Sequence, residues 1–185
     1  KILRRVGSLR VRLHTIDFVA LATGMAIFLA SLVTTLVICH QAERDLNQTV
    51  RERLTATAEL AARLTDGDLH VRLTRPEDKN TAAYKTIHKP YIDILSANPD
   101  LIYIYTVVDC GGSACLVMDA GLPRPGETVI PSDVMQLYEQ PSDTLRKAIA
   151  GKLAAVEPRP YTDEYGTFLS AYAPIYTSSH QFVGV

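Results

Sequence analysis

The stretch from Phe18 to Cys39, FVALATGMAIFLASLVTTLVIC, carries no charged residue over about 22 positions. At the helical rise of ~1.5 Å per residue it extends ~33 Å, enough to cross a hydrocarbon core of ~30 Å. Leu, Ile, Phe and Val each favour the centre of a bilayer by ~0.3–0.6 kcal/mol, so the sum favours insertion. Asp17 stands just outside, where its carboxylate can stay wet. The competing reading is a core helix of a soluble protein, which could be apolar all round only if wholly buried.

The flanks give the orientation. Lys1, Arg4, Arg5, Arg10 and Arg12 precede the span with no acid before Asp17, whereas His40, Glu43, Arg44 and Asp45 follow it nearly in balance. Excess positive charge marks the cytoplasmic side. Residues 1–17 are therefore expected inside, 18–39 in the membrane and 40–185 outside, the arrangement of a bacterial inner-membrane protein with a periplasmic or extracellular domain. A cleaved signal peptide also has a basic front and an apolar centre, but its centre is usually ~7–15 residues and ends in small residues. Here the run is longer and ends Leu36-Val37-Ile38-Cys39-His40, the pattern of an uncleaved anchor.

About 145 of the 185 residues follow the span, enough for one ordinary domain with its own core. A net charge of −1 argues against a nucleic-acid partner, which usually shows a basic patch or stripe. The chain begins with Lys and stops within the strand-like run Gln181-Phe182-Val183-Gly184-Val185, the expectation for an excerpt of a longer protein.

After the span, Leu46, Val50, Leu54, Leu60 or Ala61, and Leu64 recur at helical spacing through His40 to Asp66. Span and helix can form one rod, its stripe facing its own domain or a second copy in a homodimer. Asp66-Gly67-Asp68 ends the helix, and Leu69 to Lys79 is polar and turn-prone. A second helix is expected over Tyr84 to Ala97, interrupted at Pro90. The period then changes to that of strands. Leu101 to Asp109 and Cys115 to Ala120 form a hairpin across Gly111-Gly112, followed by a Pro/Gly-rich loop, Gly121 to Pro131. Two short helices are expected over Ser132 to Tyr138 and Ser142 to Ala150. A weaker strand, Ala154 to Tyr161, then precedes a turn into Thr167 to Ile175 and the final run. Helices segregated from an antiparallel sheet define an α+β domain. Cys110 and Cys115 bracket the hairpin turn. They can bridge in an oxidising compartment or remain two thiols.

Alternation along the strands separates two faces. Ile102, Ile104 and Thr106 oppose Tyr103, Tyr105 and Val107, and Leu169, Ala171, Ala173 and Ile175 oppose Phe168, Ser170, Tyr172 and Pro174. The aliphatic face suits the long helix. On the other, buried phenols require hydrogen-bond partners. Covered by Gly121 to Ala150, that face would make an amphipathic pocket for a small polar ligand. The candidate ligand-binding residues are Tyr103, Tyr105, Asp119, Tyr161, Asp163, Ser170 and Tyr172, with Glu164, Arg124 and Lys152 as weaker charged candidates. The plainer reading is half-exposed strand tyrosines that only pack.

Enzyme motifs are absent: there is no Gly-rich phosphate loop, G-x-S-x-G, H-E-x-x-H or C-x-x-C. Five scattered histidines lack ligand spacing, and neither a metal nor a cofactor is expected. Asn47-Gln48-Thr49 fits the glycosylation acceptor pattern, relevant only to a eukaryotic secretory route.

The segment YTDEYGTFLSAYAPIY (Tyr161 to Tyr176), followed by FVGV, together with the upstream IYIYTVVD and LVMDAG, resembles a Cache domain, the PAS-like extracytoplasmic sensor of bacterial receptors. In similar sequences the last strand continues as a V-G-V-L-G-V-D type of run. The resemblance implies a five-stranded antiparallel sheet, a long membrane-proximal helix and a small-molecule pocket on the sheet face away from it. It also implies a second span, often a HAMP linker, and a cyclase, diguanylate cyclase, histidine kinase or chemotaxis-receptor output. The amino-acid-binding signature of some double-Cache members is not recognisable. A ligand-sensing input is thus expected. The alternatives are a ligand-free dimerisation scaffold and a membrane-anchored extracytoplasmic enzyme.

Overall fold

The computed structural model describes residues 2–122 and 132–185, with side chains from Asp17 onward. The chain divides into two compact units, Lys1–Thr49 and Val50–Val185.

The first helix, α1, runs Ile2–Leu64. Its part from Asp17 is long and apolar enough to cross a membrane, and the apolar window has no burial within the chain. Phe18, Leu21, Ile27, Phe28 and Leu36 are all more than half exposed. A soluble core helix needs a cover, and none is present among the described residues. The hydroxyls of Thr23, Thr34 and Thr35 bond to the carbonyls of Val19, Ala30 and Ser31 at 2.8, 2.8 and 2.9 Å. Such closure within the helix is what a hydrocarbon surrounding requires.

In the second unit α1 ends at Leu64, and Asp66 caps the next helix, α2 (Gly67–His70), by accepting from the Leu69 N–H. A 3₁₀ turn, Pro76–Asn80, leads to α3 (Ala82–Ala97), capped by Thr81. Pro90 lies inside α3 without dividing it. Its buried side, Tyr84, Ile87, Tyr91, Ile94 and Leu95, joins Ala61 of α1 and Val117, Met118 and Ala120 in one core cluster.

Strands β1 (Tyr103–Asp109) and β2 (Ala114–Gly121) form the expected hairpin, with a bulge at Thr106/Val107. Cys110 and Cys115 are joined in a disulfide, their Cα atoms 5.9 Å apart. The loop at 123–131, Arg124 included, lies outside the described residues. Ser132 to Tyr138 is not a helix. Met135 has φ 63°, which breaks helical geometry, and Gln136–Tyr138 forms β3 on the free edge of β2, with Ala114 opposite Tyr138. Helix α4 (Asp143–Gly151) follows as expected, capped by Ser142 and closed by Lys152 in the left-handed region.

The C-terminal strands are shorter than expected. The pairs are β4 (Ala155–Val156) with β7 (Ala171–Tyr172), β5 (Tyr161–Asp163) with β6 (Gly166–Phe168), and β8 (Ile175–Tyr176) with β9 (Phe182–Gly184). The single five-stranded sheet is therefore corrected to one three-stranded sheet, β1-β2-β3, and three two-stranded ones. Pro174 offers no N–H and divides the expected strand Thr167 to Ile175. The link between β1 and the C-terminal pairs is at Val107 and Val185, which exchange two backbone bonds of 2.8 and 2.9 Å. Gly184 (φ 153°) permits that approach, because a Cβ there would lie 2.6 Å from the Val107 carbonyl oxygen. A second core cluster gathers Val107, Leu116, Tyr138, Leu145, Ala148, Tyr172 and Val185. The two-faced alternation of β1 holds: Ile104 packs on the first cluster and Tyr105 on the second.

Candidate functional site

Within the second unit lies a cavity of about 570 Å³, lined by residues of both β1 and β7, which are not hydrogen-bonded neighbours. Arg53, Thr57 and Ala61 of α1 line part of it, and Val185 also contributes. All seven sequence-derived candidates, Tyr103, Tyr105, Asp119, Tyr161, Asp163, Ser170 and Tyr172, are in its lining.

Five of them share one hydrogen-bonded wall. Tyr105 comes from β1, Tyr161 and Asp163 from the two ends of β5, and Tyr172 from β7. Ser170 precedes β7. Alternation on short strands sends these side chains to one side. The Tyr138 phenol donates to Asp163 Oδ2 and lies 3.0 Å from the Tyr161 hydroxyl. Tyr172 OH is 3.4 Å from Tyr161 OH and donates to Glu157 Oε1 at 3.1 Å. Tyr105 shares hydrogen bonds with Tyr161, Tyr172 and Ser170.

Each end of this chain of phenols is a carboxylate fixed by local structure. Asp163 Oδ1 accepts the backbone N–H groups of Tyr165 and Gly166 at 2.8 and 3.1 Å, which closes the β5–β6 turn. Glu157, 4% exposed, accepts from Ser142 Oγ, from Thr144 Oγ1 at 2.8 Å and from Tyr172. Ser142 Oγ also accepts the Leu145 N–H at 3.0 Å, so the cap of α4 is built into the wall. Burial, followed by neighbouring phenols, pushes Tyr138 and Tyr172 far above the ordinary tyrosine range, and burial raises Tyr105 likewise. These phenols stay neutral at any physiological pH.

Asp119 belongs to an adjoining node. Its Oδ2 accepts the Ser132 N–H at 2.8 Å, Ser132 Oγ is 3.3 Å from Tyr165 OH, and Lys79 Nζ donates to the Ser132 carbonyl at 2.8 Å. Burial raises the Asp119 carboxyl against the opposing effect of the Ser132 bonds. Tyr103 stands apart, edge-on to Phe168 with ring centres 5.7 Å apart. Neither Lys152 nor Glu164 lines the cavity. Lys152 Nζ lies 5.6 Å over the Phe182 ring, and Glu164 accepts the Glu139 N–H at 3.0 Å.

Sequence reasoning missed Tyr138, Glu157, Ser142 and Tyr165. Tyr138 was hidden by the helical reading of Ser132 to Tyr138. A signal for Glu157 was present: one acid closing the apolar run Leu153-Ala154-Ala155-Val156 calls for a buried partner. No group of histidine, cysteine or acidic residues suited to a metal occurs among the described residues. The chain matches no protein-family model, and comparison with curated proteins and with solved structures gives no significant match.

Proposed function

We propose that this chain is the extracytoplasmic input of a membrane signal-transduction receptor. Its apolar helix crosses the inner membrane once, the N-terminus is cytoplasmic, and the region after residue 40 captures a small molecule. The observation that carries the reading is the cavity of about 570 Å³, whose wall carries the hydrogen-bonded phenols of Tyr105, Tyr138, Tyr161 and Tyr172 together with Asp163. A cavity of that size with a few fixed polar groups has the proportions of a small-ligand site. In this reading β7 and Val185 line both the cavity and the route to β1, so an occupant has differential contacts with two arrangements of the strands, as a signal requires. The resemblance to Cache sensors would then extend to function, with the output module carried elsewhere in the receptor. A second copy of the chain would pack on α1, where Leu60 and Leu64 are about half exposed.

The test is a thermal-shift screen of the full chain in lipid nanodiscs against amino acids, amines and carboxylates. It is repeated on a Tyr103→Ala/Tyr172→Ala variant. A stabilisation that the variant loses supports sensing. A flat response, with unaltered signalling by the variant receptor, favours the ligand-free scaffold, and turnover of a library member favours an enzyme.

A further inference from the structure

Proton accounting along the wall says what kind of ligand it is built for. Tyr138 gives its hydroxyl proton to Asp163, while Tyr172, Ser142 and Thr144 give theirs to Glu157. Each hydroxyl has one proton, so these oxygens retain only lone pairs for any other partner. Tyr161, between Tyr138 and Tyr172, meets two neighbours whose protons are already committed. Tyr138 and Tyr172 therefore face the cavity as acceptors, while Tyr161 and Tyr105 have neighbours within the wall that can take their protons.

Its charge points the same way. Asp100, Asp119 and Asp163 are the acids lining the cavity, Glu157 being bonded to Tyr172 outside the lining, and the phenols of Tyr138 and Tyr172 are neutral. Among the described residues there are two ion pairs, Lys79–Asp133 and Lys89–Asp93, and neither includes these carboxylates. Arg53 is the one base among the described residues lining the cavity. It is exposed on α1 and makes no ion pair with Asp100, Asp119 or Asp163. Buried acids are ordinarily matched by a cation, and low-dielectric walls focus the field of an unmatched one into the adjoining space. Aromatic faces surrounding that space attract cations further.

We propose that the tyrosine wall recognises an organic ammonium ion, with its N–H groups donating to the phenol oxygens and to Asp163. The assignment rests on the ligand-sensing reading above and adds the chemical class to it.

The test uses the full chain in zwitterionic nanodiscs and three probes with one four-carbon frame: butylamine, butan-1-ol and butyrate, followed by saturation-transfer NMR and titration calorimetry. Butylamine is expected to bind at least about tenfold more tightly than the other two, weakening as ionic strength rises. Asp163→Asn is expected to remove most of that preference, and Glu157→Gln provides a second variant should the first unfold. Equal or tighter binding of butyrate or butan-1-ol overturns the ammonium assignment while leaving a ligand cavity in place. Binding of none of the three also overturns it. The library screen then decides separately whether the cavity takes a ligand at all.

Discussion

Acidification should destabilise the second unit through His70. The imidazole is 1% exposed on α2, with Nε2 2.7 Å from Thr106 Oγ1 and Nδ1 without a hydrogen-bond partner. Thr106 Oγ1 also accepts the Met118 N–H at 3.1 Å, so the histidine is tied to the β1–β2 hairpin. Protonation would place a charged N–H where nothing accepts it, and burial lowers the pKa to about 4. In the unfolded chain the ordinary value is ~6.5. Above that value both states are neutral and the residue contributes no pH dependence. Below it only the unfolded state takes up the proton, so stability falls by ~1.4 kcal/mol per pH unit. The fall levels off near pH 4, after a total loss of about 3 kcal/mol.

The protein carries its own probe. It has no tryptophan, and its nine tyrosines all lie at residue 84 or later, so tyrosine emission reports on the second unit alone. Urea unfolding of the full chain in detergent, followed by that emission at half-unit steps from pH 7 to 4, gives the dependence. His70→Gln keeps a hydrogen-bonding side chain and abolishes the titration. Burial also lowers the pKa of His88 and raises that of Asp119, but both titrate in either protein and cancel in the difference. Wild type should lose about 3 kcal/mol more than the variant across this window. Parallel curves for the two proteins would refute the burial argument.

Other perturbations test the packing around the site. At Gly67 an added Cβ would lie 2.2 Å from the Tyr176 carbonyl oxygen, so Gly67→Ala should cost about 1–3 kcal/mol despite alanine's better helix propensity. An unchanged urea midpoint would contradict that contact. Reduction of Cys110–Cys115, which closes a loop of sequence separation 5, should cost about 2 kcal/mol by chain entropy. Unfolding with and without reductant measures it, the free Cys39 being common to both samples. Leu145, fully buried between α4 and the second core cluster, should lose about 2–5 kcal/mol as Leu145→Ala, read from the same emission.

What could be read from the sequence follows the range of the forces involved. The apolar stretch from Phe18 to Cys39, the Ser142 cap and the β1–β2 hairpin are local patterns, and each is present where its residues predict it. Alternation also brings Tyr105, Ser170 and Tyr172 to one wall, although Leu169, Ala171, Ala173 and Ile175, assigned to the opposite face, line the same cavity. Sheet continuity is different. Whether 167–175 is one strand depends on Pro174 and on which neighbour each edge finds, and it divides among three ladders. Gln136 to Tyr138 becomes a strand because β2 offers a free edge, a fact of tertiary structure. Glu157 reaches its donors only when α4 and β7 meet around it.

That last residue shows why the polar wall is hard to explain as packing. Val107, Leu116, Leu145 and Val185 already give the surrounding cluster an apolar interior. Well-packed apolar substitutes for a buried charged network are often neutral or stabilising, so holding the strands together does not require two carboxylates. Among the described residues neither carboxylate pairs with a base, the usual way to make buried charge tolerable. Hydroxyls hold them instead, and each hydroxyl that does so loses its proton as a donor toward the cavity. Tyr138 and Tyr172 thereby present acceptors to the cavity and Asp163 its charge, while the carboxylates themselves are satisfied. It is the combination that the proposed ammonium site requires.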